Sequence, residues 1–196
     1  MKKLLVAFFA AVLGVSSLFA GDAEDIKALI IKDMELGAQG NFVEMLALRT
    51  PDYVEVNEHG TFNYEHLKWS VLMLDGDHPE EFVLTMWVIS TRGTVARPTE
   101  EQMAKIRELA GNPEFVKSYR EHIPKFVSGL KDDQALQLRT TKFVSVDVDG
   151  DSATVVGEYD ANSSGTVRHK TGTVTLRKVD GAWKICKVVS KPVQKE

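Results

Sequence analysis

The stretch Val144-Ser-Val-Asp-Val-Asp-Gly-Asp-Ser-Ala-Thr-Val-Val-Gly-Glu-Tyr159 alternates apolar and polar residues on both sides of Asp149-Gly150. Val144, Val146 and Val148 share one face of a first strand, and Ala153, Val155, Gly157 and Tyr159 share one face of a second. Thr173-Val-Thr-Leu-Arg-Lys-Val-Asp-Gly-Ala-Trp-Lys-Ile-Cys-Lys-Val-Val189 repeats the pattern about Asp180-Gly181, with a loop expected over 161–165 between the two hairpins. Asp-Gly supplies the positive φ angles that tight two-residue hairpins need, so the C-terminal third reads as an antiparallel meander.

Upstream the apolar period lengthens to that of a helix. Asp22 precedes Ile26, Leu29, Ile30, Asp33 and Leu36 on or near one face, with Gly40 placed as a C-terminal cap. Asn41 and Glu44 have the spacing of a capping box and open a short helix ending before Pro51, and Asn63 opens another through Leu67, Val71 and Leu74. Thr99 with Gln102 and Asn112 with Pro113 start two more, the last one expected to kink or stop at Pro124. Between them, Tyr53 to Gly60 reads as a strand and turn, and Phe82 to Ser90 as a strand apolar on both faces. Helices gathered ahead of a meander define an α+β architecture in which the helices cover one sheet face.

Lys2 and Lys3 followed by an uncharged run from Leu4 to Phe19 and by Ala20 have the order of a secretory signal peptide. The expectation is a leader over residues 1–20, a single domain over 21–196, and a periplasmic or secreted protein with no membrane attachment once the leader is removed. A single cysteine, Cys186, forms no internal disulfide and reads as a small core residue. The formal charge of −4 opposes a sequence-independent hold on nucleic acid.

Three motifs carry a resemblance: Gly40-Asn-Phe-Val-Glu-Met-Leu-Ala-Leu48 followed by Asp52-Tyr-Val-Glu-Val56, then Asp151-Ser-Ala-Thr-Val-Val156, then Leu176-Arg-Lys-Val-Asp-Gly-Ala-Trp-Lys-Ile185. On these the chain resembles the nuclear transport factor 2-like superfamily, which includes ketosteroid isomerases and SnoaL-type cyclases. The resemblance implies a cone-shaped α+β barrel, helices on a strongly curved antiparallel sheet around a concave apolar pocket, and a homodimer. Residues 97–136 then look like a helical insertion. Matching the family's isomerase positions puts Asp33, Asn57 and Thr175 where those enzymes have Tyr, a carboxylate base and a protonated Asp. An amide such as Asn57 has no basic lone pair, so proton abstraction of that kind is not expected.

The remaining candidates are Asp33 and Glu55 as carboxylates, and Tyr53, Asn57, Trp69 and Trp87 as ligand-binding side chains. No spacing marks a metal site or a cofactor. The expected function is an exported noncatalytic module whose pocket takes a small apolar molecule or a protein partner's segment. The alternative is a cofactor-free hydrolase, dehydratase or isomerase using Asp33 and Glu55, oriented by Tyr53.

Overall fold

The computed structural model describes residues 2–95, 97–163 and 165–193; side chains of residues 2–20, and that of Ser163, lie outside the description. The leader expected over 1–20 therefore falls largely outside the described side chains. Helix α1 spans Lys2–Gln39 without a break at Asp22. Asp22 is not a helix start: the Leu- and Ala-rich run before it is itself a strong helix former, so the helix continues through it. The Asp22 carboxylate instead accepts from Lys178 Nζ at 3.0 Å and from Trp183 Nε1 at 3.1 Å, fastening α1 to the last hairpin. Gly40 does end the helix, at φ +87°, with the Asn41 amide returning to the Leu36 carbonyl at 2.8 Å.

Short helix α2 covers Phe42–Leu46, but Asn41 makes no side-chain cap. Strands β1 (Arg49–Asn57) and β2 (Gly60–Asn63) form a hairpin. Helix α3 (Tyr64–Leu72) opens with a full capping box between Asn63 and His66. Helix α4 occupies Pro79–Ser90, where the sequence reading expected a strand. Pro79 in the first turn and the charges of Glu80 and Glu81 near the N-terminus favour a helix. Packed between neighbours, α4 is apolar nearly all round, and such a run cannot be told from a covered strand by period alone. Helices α5 (Glu100–Ala110) and α6 (Pro113–Thr140) follow, α5 opening with the expected Thr99–Gln102 box; Pro124 lies inside α6 without ending it.

The meander is β3 (Lys142–Asp149), β4 (Ser152–Ser163), β5 (Thr166–Val179) and β6 (Ala182–Pro192). Both long strands run into the stretch expected as a loop, leaving a tight turn at Gly165. The order is β2-β1-β6-β5-β4-β3, antiparallel except that β1 lies parallel to β6, so the sheet is mixed. Register shifts at Phe143/Ser145 and Thr175/Leu176 leave Val144 and Cys186 as extra residues, and such bulges bend and twist a sheet. The first also corrects the expected face: Phe143, Val146 and Val148 pack inward, while Val144 is 61% exposed.

Two clusters hold these layers together. Ile26 and Ile30 of α1 meet Tyr53, Val155, Leu176 and Ile185 of the sheet, each burial contributing about 1.5–3 kcal/mol. Leu36, Phe42, Met45, Leu46 and Val71 join α1, α2 and α3. Helix α6 lies along α1 and β4, and its Tyr119 hydroxyl donates to the Met73 carbonyl.

Candidate functional site

The clusters stop short of filling the interior. A cavity of about 540 Å³ lies between the helices and the inner sheet face, walled by α1, the segment from α2 into β1, α3, α4, α6, β4, β5 and β6. Its surface is mainly apolar, and four of the six methionines, Met34, Met45, Met73 and Met86, line it. Methionine is unbranched and polarizable, so such a wall adapts to the shape of a guest.

Asp33 and Glu55 both line this cavity. Asp33 faces inward from α1, where an ionised group needs a partner. That partner is Arg49, at the start of β1: Nη1 donates to Asp33 Oδ1 at 2.6 Å and Nη2 to Oδ2 at 3.1 Å. Nη1 also donates to the Met45 carbonyl at 2.5 Å, and the guanidinium lies 5.3 Å from the centre of the Tyr53 ring. Burial opposes the charge on Arg49, but the adjacent Asp33 carboxylate overrides it and holds the guanidinium above its ordinary range. The Arg49 Nε is buried with no hydrogen-bond partner, and so is the hydroxyl of Thr85 on α4, which lines the same cavity.

Tyr53 is 1% exposed and donates to Glu55 Oε2 at 3.1 Å, while Asn57 Nδ2 donates to Glu55 Oε1 at 2.7 Å. Burial pushes the Tyr53 phenol well above its usual range, and the Glu55 charge adds to the shift. Asn57 thus serves Glu55 and the turn, its side-chain oxygen accepting from the His59 amide at 2.8 Å. Trp69 and Trp87 are not among the lining residues; Trp69 sits 5.5 Å from the His66 ring, and Trp87 is half-buried on α4.

The residues expected to form an insertion, 97–136, enter the site through α6. Phe126, Leu130 and Asp133 line the cavity, and Asp133 accepts from the Asn162 amide at 2.6 Å and from Gln137 at 2.8 Å, tying α6 to β4. Lys170 of β5 also faces the cavity, paired with Glu58 at 3.2 Å. Among the described residues no group of three or more His, Cys, Asp or Glu is placed to hold a metal ion.

Arg49, Thr85, Lys170 and the methionines were missed from sequence. For Arg49 a signal existed: an ionised Asp33 on an apolar helix face demands a cation, and Arg49 is the lone charge in Ala47-Leu-Arg-Thr50. For Thr85 none existed, because the apolar run around it has the pattern of a covered strand.

No family model and no curated protein matches the sequence. Among solved structures the chain is similar to an NTF2-like protein with a cystatin-like fold from Novosphingobium aromaticivorans (14% identity, 94% of this chain and 90% of that one, TM-score 0.48). It is also similar to an NTF2-like protein of unknown function from Shewanella oneidensis (14%, 85% and 96%, TM-score 0.43) and to a ketosteroid isomerase-like protein from Erwinia carotovora atroseptica (13%, 89% and 98%, TM-score 0.40). These likenesses concern the fold alone.

Proposed function

We propose that the chain is a noncatalytic binding module holding a small apolar molecule between its helices and sheet. The observation that carries this reading is the cavity of about 540 Å³, in the size range of small-molecule sites and lined mainly by apolar, adaptable side chains. All three lining carboxylates are already engaged, Asp33 by a two-pronged arginine, Glu55 by Tyr53 and Asn57, and Asp133 by the Asn162 amide and Gln137, which suits a framework better than a proton relay. The test is thermal unfolding against a panel of apolar and amphipathic small molecules. A ligand present at about a hundred times its Kd adds about 2.7 kcal/mol and raises the melting temperature. A panel that leaves the midpoint unmoved overturns the reading, in favour of a protein partner.

A second reading, a cofactor-free hydrolase, dehydratase or isomerase, is favoured by one observation: Asp33, Tyr53 and Glu55 face one cavity. It requires turnover that Glu55→Gln abolishes with binding retained.

The module is further proposed to be exported, on the strength of the Lys2-Lys3 and Leu4–Phe19 pattern. Expression with the leader should yield a periplasmic chain beginning at Gly21, and a chain retaining Met1 contradicts this. We also propose a homodimer through the outer sheet face, where Val56, Val189, Thr173 and Val156 form one cross-strand row. A monomer in sedimentation at micromolar concentration refutes it.

A further inference from the structure

Resting on the binding-module reading, the geometry points to a more specific guest. We propose that the cavity takes a neutral single-chain amphiphile, bound head first, whose uncharged carbonyl head meets Arg49 and Thr85 and whose hydrocarbon tail leaves between α4 and α6.

Charge and unmet hydrogen bonds select the head. The Arg49 side chain is 7% exposed, and its charge is already balanced by Asp33, with Glu55 also facing the cavity. A carboxylate head would stand against three lining acidic side chains, Asp33, Glu55 and Asp133, while the lining cation Lys170 is already paired with Glu58, and an ammonium head would stand against the guanidinium; either would also lose its hydration on entering. A neutral carbonyl meets neither obstacle. It can accept a hydrogen bond, and Arg49 Nε and the Thr85 hydroxyl are buried donors that lack a partner. Both side chains line one cavity and come from elements distant in sequence.

The rim of the cavity suits a tail. Helices α4 and α6 meet where Phe82 lies 5.9 Å from Phe115 and 5.0 Å from Tyr119, ring centre to ring centre. Met86 and Ile89 follow Phe82 at helical spacing on the same face, as Phe126 follows Tyr119. Beyond the ring contacts these three side chains line the cavity and yet are 39%, 45% and 46% exposed, an apolar edge reaching solvent. A hydrocarbon chain leaving by that edge covers them, whereas a compact polar guest leaves them wet.

The experiment is calorimetric titration of the intact protein at about pH 8, where a carboxylic acid is ionised. The probes are decan-2-one, decanamide, decanoate and butylbenzene, the last a headless apolar molecule. The ketone and amide should bind about tenfold or more tightly than decanoate, a gap of about 1.4 kcal/mol. Thr85→Val should weaken the amide several-fold and leave butylbenzene unchanged. Asp33→Asn, which frees the Arg49 charge, should narrow the gap by tightening decanoate. If butylbenzene binds but the three heads bind alike, or decanoate binds best, or Thr85→Val spares the amide, the module stands and this inference falls. If no probe binds, both fall.

Discussion

Arg49 grips Asp33 with both terminal nitrogens, joining the first strand to the C-terminal part of α1 at the wall of the cavity. The pair is mostly withdrawn from water, so its value lies in mutual compensation: breaking such a pair leaves one buried charge bare. Asp33→Ala is expected to cost about 3 kcal/mol or more in urea denaturation, because Arg49 then keeps its charge without a counterion. Replacing both, Arg49→Met with Asp33→Leu, should cost less than Asp33→Ala alone. A double variant weaker than the single one would show that the pair contributes more than compensation.

The phenol of Tyr53 gives stability a pH dependence whose sign follows from its raised pKa. Below about pH 10, the ordinary phenol value, folded and unfolded chains both keep the proton and this contribution is complete. Above it the unfolded chain ionises while folded Tyr53 does not, so stability falls as pH rises. Tyr53→Phe should flatten that alkaline decline; an unchanged slope in denaturation midpoints between neutral and alkaline pH would remove Tyr53 as its source.

Edge strand β2 is clamped by the turn after α4. The Thr61 amide donates to the Arg92 carbonyl at 3.1 Å, and a Cβ on Gly93, which sits at φ +66°, would lie 1.6 Å from the Thr61 carbonyl oxygen. Gly93→Ala therefore strains the backbone and pushes the strand away, and should destabilise by more than about 1 kcal/mol. Faster hydrogen exchange at Thr61 would accompany the loss, and an alanine variant of native stability would contradict the clamp.

Cys186 is the extra residue in the β5–β6 ladder, with its Sγ donating to the Thr175 carbonyl at 3.3 Å. Burial pushes its thiol pKa up, leaving less of the reactive thiolate near neutrality. Reaction with an aromatic disulfide reagent should be slower in the native protein than in the denatured chain. Equal rates would place the thiol at the open surface.

What could be read in the chain was local. Asp180-Gly181 forms the second hairpin turn as expected, both residues at positive φ, whereas the first turn is Gly150-Asp151, one residue later than expected, with Asp149 paired to Ser152 in the strand. The helix starts at Asn63, Thr99 and Asn112 are equally local, since each cap bonds amides two or three residues away. Asn41 had the spacing of a cap but no bond, and Asp22 turned out to serve Lys178 and Trp183 across the fold. Val144 failed because a bulge reverses the faces of a strand, which alternation alone does not disclose. The cavity follows the same division. Asp33, Tyr53 and Glu55 were legible because the helix and strand carrying them were, whereas Arg49 and Thr85 meet only once elements far apart in sequence have packed.

The most direct test of the account uses protein labelled with carbon-13 at the methionine methyls and titrated with butylbenzene. Met34, Met45, Met73 and Met86 line the cavity, while Met103 of α5 does not and serves as the internal reference. The account predicts saturable shifts of those four methyl signals to a common dissociation constant, with Met103 unmoved. Four signals that stay in place, or a Met103 signal that moves as far as they do, would contradict it.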